Sequence, residues 1–179
     1  MIDPAPGGPP LPEPGAALRD VARFGPYFAV DDAPGAGWLT LQDLIEDPAV
    51  MAGRIDGTAE RLGGVEPRVA ASIAHLGITA RLLAPLLAVA AVHHVVLELD
   101  PAQVHWKPVF GGPFPLAVTA SAAHDAGFDR YVLSRLAAPI VAATRRHTPV
   151  AAGLLFGTLV DRLPELKQQS AQSPAPATR

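Results

Sequence analysis

The chain has 179 residues, which is enough for one domain with a full hydrophobic core. Its 14 basic and 17 acidic residues give a formal charge of −3, and no long basic block is present, so general nucleic-acid binding is excluded. The sequence contains no cysteine, which excludes disulfides, thiolate metal sites and cysteine-held iron–sulfur clusters.

The two ends of the chain differ in composition from the middle. Residues 1–15 are mostly Pro, Gly and Ala and are predicted to form a disordered arm, and residues 165–179 are predicted to form a disordered polar tail. Residues 16–164 are predicted to form a single globular domain. The first residues lack the positive charge and apolar run of a signal peptide, so we expect a cytoplasmic protein.

The first half of the chain carries clear signals for helix ends. Residues 16–24 are predicted to form a short helix and residues 27–30 a short strand. Thr40 followed by Asp43 fits a capping box, in which each residue caps the other. Asp47 and Pro48 then fit the cap and first position of a second helix, which is predicted to reach Leu62.

A long helix is predicted to begin at Pro67 and to form the centre of the fold. It carries an apolar stripe, a stripe of small residues and a polar stripe, which includes Ser72, His75 and Thr79. The apolar stripe consists of Val69, Ile73, Leu76, Ala80, Leu83, Leu87 and Ala90. We expect this helix to be buried on nearly all sides. Only 16 residues lie between Arg81 and Glu98, and as helix they would cover about 24 Å against about 30 Å of bilayer, so no membrane span is expected.

The second half of the chain begins with β-like patterns. Residues 95–99, 104–110 and 114–119 are predicted to be strands, with a turn at Asp100 and Pro101 and a hairpin loop at 111–113. Residues 128–147 and 150–163 are predicted to be helices. The predicted fold class is therefore α+β, mainly helical, with a small antiparallel sheet from the middle of the chain.

Several segments together carry a family resemblance. They are WLTL at residues 38–41, DPAV at 47–50, EPRVAASI at 66–73, LGITARLLAP at 76–85, VHHVV at 92–96 and HWKP at 105–108. With these segments the chain resembles actinobacterial proteins of the FhuF-like ferric-siderophore reductase family over roughly residues 38 to 160. The resemblance implies reduction of ferric siderophores through a two-iron, two-sulfur cluster held by C-terminal cysteines.

The family's cysteine motif is absent from this chain, so its redox function does not transfer and no cofactor is expected. The leading hypothesis is a protein that binds a small, largely apolar organic molecule, acting as a non-redox cyclase or isomerase of secondary metabolism. A first alternative is a siderophore-binding or iron-release accessory that depends on an electron-donating partner. A second is a non-catalytic interaction protein that uses the small face of Gly153 and Gly157 as a homodimer contact.

His75 and Arg81 are the candidate catalytic residues. His75 lies on the polar stripe and would act as a proton donor or orienting group, unless it simply bonds to its Ser and Thr neighbours. Arg81 lies in an apolar stretch and would anchor an anionic or carbonyl group of a ligand, unless it satisfies a backbone carbonyl freed by Pro85 or pairs with a carboxylate of the protein.

Four further residues are candidate substrate contacts. Ser72 and Thr79 flank His75 on its helix, and His105 and Trp106 alternate across a predicted strand, where Trp106 is either core or a ligand platform. No metal site is expected, because the adjacent residues His93 and His94 point about 100° apart on a helix and no Asp or Glu lies at metal-ligand spacing near them in the sequence. Ser121, His124 and Asp125 fall in one segment without a nucleophile-elbow pattern, which disfavours a hydrolytic triad.

Overall fold

The computed structural model describes residues 12–124 and 132–151. Its helices are α1 (Pro14–Val21), α2 (Leu41–Glu46), α3 (Pro48–Arg61), α4 (Pro67–His93) and α5 (Ala138–His147). Its strands are β1 (Leu39–Thr40), β2 (Val96–Trp106) and β3 (Leu116–His124). A 3₁₀ turn, Ala22–Phe24, continues α1, and a π-helical segment, Val132–Ala137, precedes α5. The predicted α+β class, mainly helical with a small antiparallel sheet, is confirmed.

The helix starts follow the capping signals in the sequence. The Thr40 hydroxyl accepts a hydrogen bond from the Asp43 amide at 2.9 Å, and the Asp43 carboxylate accepts one from the Thr40 amide at 2.7 Å. The Asp47 carboxylate caps α3 by accepting from Ala49 N at 2.8 Å. Helix α1 begins at Pro14 rather than at residue 16, because the carboxylate of Glu13 caps it.

The sheet has the order β1-β2-β3, and both pairings are antiparallel. The predicted turn at Asp100 and Pro101 is wrong, since β2 runs through both residues and absorbs them as irregularities in its register with β3. The predicted hairpin between β2 and β3 is confirmed, but its loop spans residues 107–115 rather than 111–113, because β2 ends at Trp106 and β3 begins at Leu116.

The strand predicted at residues 27–30 is also wrong. The carbonyls of Tyr27 and Ala29 accept hydrogen bonds from the Arg81 guanidinium instead of from a neighbouring strand. In the described part of the chain, this segment reaches the sheet through a single bridge between Asp31 and Ala117. A buried side chain therefore takes the acceptors that a strand would have used.

Helix α4 is the central element, and α1, α3 and α5 all pack against it. The expectation of burial on nearly all sides is wrong for its first half, where Val69 and Ile73 are each 43% exposed and Leu76 is 47% exposed. The buried side instead includes His75 and Thr79 of the predicted polar stripe, each 3% exposed, together with small residues such as Ala70. Small side chains let neighbouring helices approach closely, so packing distance rather than hydrophobicity selected the buried face.

By length and composition alone, α4 would be long enough and apolar enough to cross a membrane. In the fold, however, 61% of its most apolar window is buried. This is the situation of a helix in the core of a globular domain, and the absence of a membrane span stays a prediction.

Some predicted features lie outside the described residues. These are the helix at 150–163 with Gly153 and Gly157, the start of the helix at residue 128, Asp125, and nearly all of both predicted disordered ends.

Candidate functional site

Two arginines and three aromatic rings meet between α3, α4 and the hairpin loop. We call this group, Arg54, Arg81, Trp106, Phe110 and Phe114, the arginine–aromatic cluster. The guanidinium carbon of Arg54 lies 4.6 Å from the ring centroid of Phe110, 5.4 Å from that of Phe114 and 5.9 Å from that of Trp106. The guanidinium carbon of Arg81 lies 5.9 Å from the centroid of Phe114, so this ring contacts both cations.

The elements around the cluster fix its rings in place. Trp106 ends β2, is 2% exposed, and donates its indole N–H to the Thr40 carbonyl at 3.1 Å. Phe114 is 3% exposed and packs edge-on against Trp106, with ring centroids 5.5 Å apart. Both rings are thus core residues with one side turned towards a guanidinium.

Arg81 is engaged by the polypeptide on every nitrogen of its guanidinium. Its Nε donates to the Phe114 carbonyl at 2.8 Å, Nη1 donates to the Tyr27 carbonyl at 2.8 Å and Nη2 donates to the Ala29 carbonyl at 2.5 Å. The side chain therefore joins α4 to the hairpin loop and to the segment after α1. This geometry is that of a structural clamp.

Arg54 is 9% exposed, yet most of its hydrogen-bonding capacity is unused. Its Nη1 donates to the Val109 carbonyl at 2.7 Å. Its Nε is buried and lacks a hydrogen-bond partner, and Nη2 makes no hydrogen bond within the described chain. The Nε–Nη2 edge, one of the two edges that an arginine offers to a carboxylate, is therefore unoccupied.

Neither arginine of the cluster forms a salt bridge within the described chain. Within the residues that the structure describes, no acidic oxygen lies within 4.0 Å of either guanidinium. Burial lowers the pKa of both side chains from the ordinary arginine value, and for Arg81 the charge of Asp31 partly opposes this. Buried charges are normally paired, so two unpaired guanidiniums around one ring mark an electropositive site in the core.

Phe110 closes this site from the hairpin loop. Its ring is 36% exposed on one side and fills the space beside Gly57 of α3 on the other. A β-carbon on Gly57 would overlap Cζ of Phe110 and lie 2.9 Å from Cε2. The absence of a side chain at this helical position thus creates a notch, which we call the Gly57 notch, next to the Arg54 guanidinium.

His75 lies away from the cluster, where α4 meets α5. Its Nδ1 is 3.3 Å from the Thr144 hydroxyl oxygen, and that hydroxyl donates to the Ile140 carbonyl at 2.9 Å. The Thr144 hydroxyl therefore contacts both the His75 ring and the backbone of its own helix. Thr79 donates to the His75 carbonyl at 2.6 Å, and Ser72 donates to the Arg68 carbonyl at 2.9 Å.

His105 lies on β2, and its strand partner Thr40 lines an open cleft of about 580 Å³. In the sheet His105 is opposite Thr40 on one side and Ala117 on the other. The cleft is lined by Thr40, Gln42, Asp43, Glu46, Asp47 and Ala102. Hydrogen bonds from Thr40 hold the pKa of Asp43 below its usual value, and the charge of His105 adds to this. The carboxylates of Asp43 and Asp47 in this cleft are already hydrogen-bonded to backbone amides at the starts of α2 and α3.

The structure brings together only part of the predicted site. Arg81 and Trp106 share the arginine–aromatic cluster, whereas His75, Thr79 and Ser72 contact other elements and His105 pairs with Thr40 in the sheet. Sequence reasoning missed Arg54, although a signal exists: it shares one helical stripe with Met51, Ile55 and Thr58, all of which are buried. A charged residue on the buried face of a helix predicts a polar or charged partner for it in the core.

Within the described ranges, no group of three His, Asp or Glu residues could hold a metal ion. Compared with protein-family models and with curated proteins, the chain matches none. The resemblance to FhuF-like reductases therefore stays a prediction.

Proposed function

We propose that this protein binds a small, largely apolar organic molecule at the arginine–aromatic cluster and carries out no redox chemistry of its own. The observation that supports this is the pair of buried guanidiniums around Phe114, neither of which has a carboxylate partner in the described chain. An electropositive spot surrounded by rings suits a ligand with an apolar body and one polar end. The proposal is compatible with a FhuF-like scaffold that has lost its cluster.

The contacts favour binding over acid–base catalysis. The His75 ring lies against the Thr144 hydroxyl, away from the cluster, and each guanidinium nitrogen of Arg81 donates to a backbone carbonyl. A cyclase or isomerase would need an available proton-transfer group next to the bound molecule. The cluster instead supplies a fixed charge and apolar surface, which are the parts of a binding site.

A thermal-shift screen of the purified protein tests the proposal. One panel contains apolar polyene and polyketide-like compounds, and the other contains ferric siderophores. A ligand present at 100 times its Kd adds about 2.7 kcal/mol to the free energy of unfolding, a clear rise in Tm. We expect stabilisation by members of the apolar panel and a weaker response in Phe114→Leu. Stabilisation by ferric siderophores alone, or by neither panel, would overturn the proposal.

A further inference from the structure

We propose that Arg54 binds the carboxylate of an aryl or similarly apolar organic acid. In the free protein, the Phe110 ring occupies the Gly57 notch, which the apolar group of that ligand would fill in the complex. This inference rests on the proposed function, because it names the ligand class of the same cluster. It assigns a binding role to Arg54 and a gating role to Phe110.

The hydrogen bonds of Arg54 point to a carboxylate. Its Nη1 is held by the Val109 carbonyl at 2.7 Å, which fixes the plane of the guanidinium. Nε and Nη2, the remaining edge, make no hydrogen bond within the described chain, and Nε is fully buried. Two parallel N–H groups match the two oxygens of a carboxylate. Leaving a buried donor unpaired costs free energy, which a ligand oxygen would recover.

The charges at the cluster point to an anionic ligand. Arg81 donates one N–H from each of its nitrogens to a backbone carbonyl, so its guanidinium is held in place by the polypeptide while it keeps its charge. Arg54 is the arginine of the cluster that offers an unused two-donor edge, so it is the one that would contact the anion directly.

The position of Phe110 points to a gate. Its ring stacks on the Arg54 guanidinium with 4.6 Å between ring centroid and Cζ, and fills the Gly57 notch. The backbone N–H groups of Phe110, Gly111 and Gly112 make no hydrogen bond to the described chain. The loop tip is held by ring contacts, by the Val109 carbonyl and by the Arg61 guanidinium, which lies next to Gly111. The Phe110 ring can therefore move out of the Gly57 notch without breaking the hydrogen bonds between β2 and β3. A ligand ring can then take the same position over the Arg54 guanidinium.

Isothermal titration calorimetry with one matched pair of probes tests the inference. The pair is 4-phenylbutyrate and 4-phenylbutyramide, which share the aryl group and differ in charge. We expect the wild-type chain to bind the acid at least 10-fold more tightly than the amide. Arg54→Lys keeps the charge but loses the two-donor edge, so it should weaken acid binding about 10-fold, whereas the exposed control Arg68→Lys should change nothing.

Phe110→Ala tests the gate separately. Removing the ring empties the Gly57 notch and abolishes the cost of displacing it, so the acid should bind at least about 5-fold more tightly. Weaker acid binding in Phe110→Ala would overturn the gating role. Equal binding of acid and amide by the wild type would overturn the carboxylate anchor, whatever the stability of the Arg54 variant. That equal binding would leave the proposed function intact, whereas no binding of any apolar compound would overturn both.

Discussion

Arg81→Met is the substitution whose effect follows most directly from the structure. It removes the three hydrogen bonds to the carbonyls of Phe114, Tyr27 and Ala29 while keeping an unbranched apolar side chain. The Phe114 acceptor is buried, so leaving it unpaired should cost about 1–3 kcal/mol. The other two contacts are partly buried, where water replaces part of what is lost, and we assign about 0.5–1 kcal/mol to each.

These contributions sum to about 2–5 kcal/mol, and the removal of a buried charge from the core offsets part of this total. We therefore expect a loss of about 2–4 kcal/mol in the free energy of unfolding. For a chain of this size, 1 kcal/mol corresponds to about 2–4 °C, so Tm should fall by roughly 4–16 °C.

Urea unfolding monitored by tryptophan fluorescence gives the free energy, with Arg68→Met as the control on the same helix. Arg68 is exposed, and its substitution should stay within about 0.5 kcal/mol of the wild type. Hydrogen exchange at residues 27–31 should also accelerate in Arg81→Met and not in the control. If Arg81→Met loses less than about 1 kcal/mol, or leaves that exchange unchanged, Arg81 is not the clamp that its contacts indicate.

Three further predictions concern other parts of the fold. Gly57→Ala should lower the free energy of unfolding by about 1–3 kcal/mol, because the new β-carbon collides with Phe110. In a Phe110→Ala background, calorimetry should find the same substitution neutral or stabilising, by about 0.5–1 kcal/mol. Equal costs in both backgrounds would contradict the notch. Asp43→Asn should cost about 0.3–1 kcal/mol at pH 7, because it removes a negative charge from the first turn of α2. The folded-state pKa of Asp43 is depressed, so its contribution is present above about pH 4 and lost as pH falls, and urea unfolding should show the two proteins converging in acid; a constant difference would refute this. Leu76→Gln on the exposed face should change stability by less than about 0.5 kcal/mol by the same method, and a loss above 2 kcal/mol would show that the face is covered.

Much of the helical framework can be predicted from the sequence, because its signals are local. The capping box at Thr40 and the cap at Asp47 depend on side chains within three residues of the backbone groups they satisfy. Helix α4 begins at Pro67 without a side-chain cap, because the fixed φ of proline suits the first helical position. Hydrophobic period and turn residues likewise predict a β2–β3 hairpin. The α+β class follows from these elements without knowledge of their contacts.

The composition also determines one chemical fact. A chain without cysteine holds no thiolate-bound cluster, whichever family its other segments point to. That conclusion needs no coordinates.

Only the tertiary structure decided which faces are buried and which polar groups meet. Helix α4 presents its apolar stripe to solvent at Val69 and Ile73, because its small and polar residues allow closer packing against α1, α3 and α5. Arg81 reaches carbonyls more than 50 residues away at Tyr27 and Ala29, and Arg54 lies 55 residues from Val109. Contacts of that separation are set by how elements pack, since no local pattern encodes the distance between a side chain and a loop far along the chain.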